Sequence, residues 1–148
     1  MENNLKRFYD AQMNAYDQAF SEIKSGRKRS HWMWYIFPQI HDLGHSSISR
    51  YYAISSLQEA QSYLQDDILG PRLEKISAAL LELKTNDPDK VFGSPDDLKL
   101  CSCMTLFEQA DPDKKVFSKV LEKFYGGRRD EKTLAVLAHD ASIRNTSR

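Results

Sequence analysis

Two tryptophans, a histidine and a glutamine fall within one short run, His31-Trp32-Met33-Trp34-Tyr35-Ile36-Phe37-Pro38-Gln39, directly after the basic triplet Arg27-Lys28-Arg29. Trp32 and Trp34 can stack on a nucleobase, a sugar or another flat ligand, with His31 at the edge of the platform as an acid/base or hydrogen-bonding group. The alternative use of the same residues is internal, with the indoles filling the core and His31 bonding to a helix end. A second chemical run is Lys99-Leu100-Cys101-Ser102-Cys103-Met104-Thr105. On a helix Lys99 and Ser102 share a face, with Thr105 three residues further on, which is a reversed echo of Ser-x-x-Lys catalytic pairs and, more simply, a polar patch able to hold an anion. Arg72 follows Gly70-Pro71 at a helix start, where backbone amides and a guanidinium fork together favour a phosphate. Asp96 also stands at a helix start, where a carboxylate serves the helix and remains available for polar chemistry.

Other constellations carry less. His41 and His45 flank Asp42 in H-x-x-x-H spacing, but Gly44 lies between them in a loop and no further carboxylate motif completes a first shell, so no metal is expected. Cys101 and Cys103 are two residues apart, point to different faces of a helix and cannot pair. Unpaired cysteines fit a reducing, cytoplasmic setting.

Composition narrows the function classes. The chain has 148 residues, 21 basic and 21 acidic, and a formal net charge of zero. Generic nucleic-acid or membrane-surface binding needs a charge excess that these totals lack. No apolar run approaches the length of a bilayer span, and the opening Met1-Glu2-Asn3-Asn4 has none of the features of a signal peptide. No motif implies a cofactor.

The elements that must position these residues read as helices. Tyr9, Met13, Tyr16, Phe20 and Ile23 recur at steps of four and three, and Gly26 can end that helix. Leu69, Leu73, Ile76, Leu80 and Leu83 form a second stripe, and Val116, Val120 and Phe124 a third, closed by Gly126-Gly127. Gly70-Pro71, Asp87-Pro88, Ser94-Pro95 and Asp111-Pro112 each read as a helix start, because proline in the first turn loses no hydrogen bond. Ser56-Leu57-Gln58-Glu59 is a capping box in which Glu59 reaches back to the Ser56 amide, and Asp130 caps the last helix. Trp32 to Phe37 is either a strand or a short buried helix; Pro38 to about Ile48 is the longest irregular piece. The expectation is an all-α, single-domain bundle of six to eight helices with short connections over residues 1–148. Its core runs from about residue 5 to 138, and a polar tail, 139–148, frays.

Four strings resemble the signature blocks of a bacterial family, domain of unknown function 1810, some of whose members carry the label calpastatin. They are residues 26–39 (GRKRSHWMWYIFPQ), 54–60 (ISSLQEA), 69–73 (LGPRL) and 96–107 (DDLKLCSCMTLF). The resemblance covers the chain from about Leu5 to Leu137 and implies a compact all-α domain without an assigned activity. It does not imply calpain inhibition, which belongs to disordered repeat proteins. The chain departs from the family pattern at His41-Asp42, where a glycine before Leu43-Gly44 is commoner, and at Cys103, where serine is common. A distant likeness to the helical NADAR family, implicated in ADP-ribose chemistry, points to one of two uses. In the first, a pocket binds or processes a phosphorylated or nucleotide-like ligand, with ADP-ribose or an NAD-derived compound as the specific case. Trp32 and Trp34 then stack, Arg72 and Lys99 take phosphates, Gln39 and Thr105 add polar contacts, and His31, Asp96 or Ser102 supply chemistry. In the second, a non-catalytic module binds a protein partner through the Trp-rich segment. The first requires His31, Gln39, Arg72, Lys99 and Ser102 to converge in one cavity; the second requires a flat, exposed aromatic patch.

Overall fold

The computed structural model describes residues 5–146, and these form ten helical segments without a strand. In order they are α1 (Lys6–Met13), α2 (Tyr16–Lys24), α3 (Met33–Ile36), α4 (Ser47–Tyr52), α5 (Leu57–Gln65), α6 (Leu69–Leu81), α7 (Pro88–Phe92), α8 (Asp96–Ala110), α9 (Lys115–Tyr125) and α10 (Glu131–Thr146). Met1–Asn4 and the last two residues of the tail lie outside the described residues.

The all-α expectation holds, and the helix count exceeds six to eight for identifiable reasons. The first apolar stripe is two helices: the chain breaks at Asn14–Ala15, and Met13, read as part of the stripe, is 74% exposed. Single-turn pieces that carry too few residues to show a period (α3, α4, α7) supply the others. The Trp-rich run resolves as the short buried helix α3 rather than a strand. The tail expected to fray from His139 is helical to Thr146.

α8 is the centre. Leu100 to Phe107 are all buried, a stretch of helix covered on every side because α5, α7, α9 and α10 surround it. α6 packs its stripe of Leu69, Leu73, Ile76 and Leu80 against α9, α5 and α2, each of these side chains being at most 1% exposed. The stripe on α9 does the same with Val120 and Phe124 and ends at Gly126 in the left-handed conformation, φ 62°. The helices share one hydrophobic core.

The punctuation is mixed in outcome. Pro88 starts α7 behind the Asp87 cap, whose Oδ1 accepts from the Asp89 amide at 3.0 Å. Pro95 precedes α8 through a cis Ser94–Pro95 bond, Pro71 is the third residue of α6, and Pro112 lies in the turn before α9. Gly70 is not a cap: it sits inside the first turn of α6, where a Cβ would lie 2.1 Å from the Leu64 carbonyl oxygen. The turn into α6 is instead held by Asp66, whose Oδ2 accepts from the Ile68 and Leu69 amides. In the Ser56 capping box the Glu59 amide donates to Ser56 Oγ at 3.0 Å as expected, but the Glu59 carboxylate accepts from the Ser55 amide, one residue earlier than expected.

Candidate functional site

A cleft of about 720 Å³ opens between three pieces of chain: one face of α8, the loop entering α4, and the start of α10. Pro95, just before α8, faces it together with Leu98, Lys99 and Ser102, which the helical period places on one side of α8.

The loop is built by its backbone. The Ile54 amide donates to the Gln39 carbonyl at 2.8 Å and the His41 amide to the Ile54 carbonyl at 2.9 Å, an isolated parallel bridge that pins Gln39 and His41 at the rim. Asp42 then takes φ 69°, the left-handed region that glycine adopts without steric cost. Gly44 is obligatory for another reason: a Cβ would come within 2.7 Å of Ser49 Cβ on α4. Ser46 caps α4 by accepting from the Ser49 amide at 3.1 Å. At the other end of α4, buried Arg7 donates through Nε to the Tyr51 carbonyl (2.9 Å) and through Nη2 to the Ala53 carbonyl (2.8 Å) and Glu59 (3.1 Å). This guanidinium satisfies carbonyls that the helix end leaves open.

The third wall is set from behind. Thr105 Oγ1, fully buried, accepts from the Asp130 amide at 2.9 Å, and Asp130 Oδ2 accepts from the Thr133 amide (2.9 Å) and Thr133 hydroxyl (2.6 Å). Asp130 therefore caps α10 as expected and faces the cleft in a fixed orientation.

Charge is distributed unevenly around this space. The Lys99 ammonium lies over the Trp34 indole, 5.4 Å from its centroid, and 3.3 Å from Asp96 Oδ1. His41 contacts Asp42 Oδ2 through Nδ1 at 3.0 Å and Asp140 Oδ2 through Nε2 at 2.8 Å. Burial alone would lower its pKa; the hydrogen bonds to Asp140 and Asp42 more than offset this and raise it above its ordinary value. Arg50 and Lys132 add cationic groups to the lining, Glu131 an acidic one and His45 an imidazole.

Of the residues singled out from sequence, Trp34, Gln39, Lys99 and Ser102 line this cleft together. Asp96 and Thr105 stand one step behind it, the first holding Lys99 and the second holding Asp130. His31, Trp32 and Arg72 do not line it, so the full five-residue convergence is not met. Trp32 is 2% exposed because its indole Nε1 donates to the buried Glu22 carboxylate at 2.9 Å. Arg72 lies over the Tyr16 ring at 5.2 Å and donates to Gln12 Oε1 at 3.3 Å. His31 is exposed, and its carbonyl accepts from the Tyr35 hydroxyl at 3.4 Å. Of the two indoles, Trp32 is buried and the half-buried Trp34 lines the cleft.

Ser102 is 6% exposed, and its hydroxyl donates to the Leu98 carbonyl of its own helix at 3.3 Å. Among the described residues no base engages it. The thiols are no better placed as nucleophiles: burial pushes Cys101 up to about 11 and Cys103 well above its ordinary value. Among the described residues no group of three or more His, Cys, Asp or Glu is arranged to hold a metal ion. His41, Arg50 and Lys132 were missed as site residues. His41 meets Asp140 across 99 residues of chain, a pairing no local pattern announces.

Fold and site together define a small all-helical protein with a cleft of mixed charge beside a central buried helix. The chain belongs to the family described as "Protein of unknown function (DUF1810)", which it matches over residues 2–137. It is also similar to a crystal structure of the conserved hypothetical protein Rv1873 from Mycobacterium tuberculosis. The two are 48% identical, with a TM-score of 0.90, over 92% of this chain and 97% of that one. No curated protein matches the chain. Among the described residues no helix is long and apolar enough to cross a membrane.

Proposed function

We propose that the cleft binds a small phosphorylated or nucleotide-like ligand, with ADP-ribose or an NAD-derived compound as the specific case. The observation that carries this reading is the pairing of the Lys99 ammonium with the Trp34 indole in a concavity of about 720 Å³. That volume is within the range of small-molecule sites. A phosphate would meet Lys99, with Arg50 as a second cation at the rim. A flat ring would lie against Trp34 or Tyr52, and the Gln39 amide offers both donors and an acceptor for orientation. The bonding of Ser102 to its own helix favours binding over nucleophilic catalysis. We place this activity in the cytoplasm, a setting supported by the two buried, unpaired cysteines.

A thermal-shift series against nucleotides, ADP-ribose, NAD and sugar phosphates tests the reading. A ligand that binds only the native state raises the melting temperature with its concentration. At least one of these compounds should do so, and Lys99→Met should remove most of the rise. A flat response across every class, with folded protein, would refute the reading.

A further inference from the structure

Behind the cleft, three charged side chains and both indoles form one continuous chain of contacts. The Lys28 side chain is only 8% exposed, and its ammonium donates to the Ser30 carbonyl at 2.6 Å, pairs with Asp96 Oδ2 at 2.9 Å and lies 5.1 Å from the Trp32 ring centroid. The other oxygen of the same carboxylate, Asp96 Oδ1, meets Lys99 at 3.3 Å, and Lys99 lies over Trp34. The order is therefore Trp32, Lys28, Asp96, Lys99, Trp34, running from the core to the cleft. The two halves of this chain are unequal: Lys28 is held by three groups in a nearly closed environment, whereas Lys99 is 27% exposed and its ion pair is the longer one.

We infer that Lys28, acting through Asp96, is a positioning residue that keeps Lys99 available to an anionic ligand. This rests on the reading of the cleft given above and assigns a role to a residue that does not line it. The reasoning is a charge count. Two lysines against one carboxylate leave one unit of positive charge, and the burial of Lys28 fixes which lysine stays. When an anion enters, Lys99 turns from Asp96 to the ligand, and Asp96 is not stranded, because Lys28 still neutralises it. Without Lys28, Lys99 would be the one remaining cation paired with the carboxylate among the described residues, and an anion could recruit it only by leaving a bare negative charge beside itself.

The anchor is itself tied to the fold. The Lys28 amide donates to the Val91 carbonyl at 2.7 Å, and the next turn of chain is gathered on Glu22, which accepts from the Arg29 and Ser30 amides. The position of Lys28 is thus set by backbone contacts rather than by Asp96 alone.

A double-mutant cycle read by calorimetric titration with inorganic pyrophosphate and with ADP-ribose tests this. Lys28→Met should weaken binding by about tenfold or more. Asp96→Asn should leave binding as tight as wild type or tighter, because it removes the competing carboxylate. The double variant, Lys28→Met with Asp96→Asn, restores the charge count and should return to within about threefold of wild type, a rescue that a merely structural role for Lys28 would not produce. Binding by Lys28→Met equal to wild type, or a double variant as weak as Lys28→Met alone, overturns the inference while leaving the cleft reading intact. If Lys28→Met does not fold, Asp96→Asn decides: a loss as large as that of Lys99→Met would overturn the inference. Wild-type protein that binds neither compound removes the cleft reading and this inference with it.

Discussion

Replacing Glu22 by glutamine probes how the loop bearing Lys28 and Trp32 is held. Glu22 is buried, with 9% of its surface exposed. Its two oxygens accept five hydrogen bonds: from the Arg29 amide (2.7 Å), the Ser30 amide (3.1 Å), the Ser30 hydroxyl (2.7 Å), the Trp32 indole (2.9 Å) and the Gln18 amide (3.1 Å). Burial by itself would raise the carboxyl's pKa, but these donors, led by the Arg29 amide, outweigh it and bring the group down to about 2 from its ordinary 4.5. A depressed carboxyl stabilises the fold at pH values above 4.5 and loses that contribution as the pH falls toward 2. The size of the shift corresponds to about 3 kcal/mol at neutral pH. A glutamine of the same shape keeps one acceptor oxygen but places an NH2 group where Oε2 now receives two donors, one of them the Gln18 amide. Glu22→Gln should therefore lower stability by about 2–3 kcal/mol at pH 7. Urea unfolding followed by tryptophan fluorescence, repeated from pH 7 down to pH 3, is the assay. The gap between the two proteins should narrow steadily below pH 4.5. A gap that is under about 0.5 kcal/mol at pH 7, or that stays constant with pH, would refute the argument.

Three other predictions follow from single contacts. Gly70→Ala drives a methyl group into the Leu64 carbonyl and should destabilise by about 3 kcal/mol in urea unfolding, with Gly126→Ala, where a Cβ meets nothing within 4 Å, costing less. Thr105→Val preserves shape but leaves the half-buried Asp130 amide without its acceptor; a loss of about 1–2 kcal/mol is expected, and a neutral result would mean that this amide finds another partner. His41 has a raised pKa, so its ion pairs stabilise the fold below its ordinary 6.5 and that contribution fades as the pH rises through the raised value. Asp140→Asn should move the His41 titration, followed by NMR, back toward 6.5. It should reduce stability by at most about 1 kcal/mol at pH 5.5, with little effect at pH 8.

What could be read from the sequence divides along physical lines. α6 and α9 repeat their apolar residues over three turns or more, so period alone identifies them and their buried faces. α8 was legible as a chemical string, but its central place follows from four helices closing around it, which no local pattern encodes. The division of α1 from α2 was hidden because Met13 and Tyr16 continue the spacing across a break, although Met13 faces solvent. At the site, Lys99 and Ser102 were found because helical spacing fixes their common face, and Gln39 because it ends the aromatic run. Arg72 and Trp32 were assigned outward roles from residue type, yet each meets an internal partner from a distant segment: Gln12 for the guanidinium and Glu22 for the indole. Asp96 and Thr105 were recognised as polar residues of interest but act from behind the cleft, a distinction that only their partners' positions reveal.

The most direct test of the cleft reading uses the two tryptophans as separate reporters. In a protein labelled with 15N at the indoles, titration with ADP-ribose should be followed by NMR, with the two resonances assigned by Trp→Phe variants. The Trp34 indole, which lines the cleft under Lys99, should shift in a saturable manner, while the buried Trp32 indole, bonded to Glu22, should move far less. Two indole signals that both stay still at millimolar ligand, or a Trp32 shift as large as that of Trp34, would contradict a ligand site in this cleft.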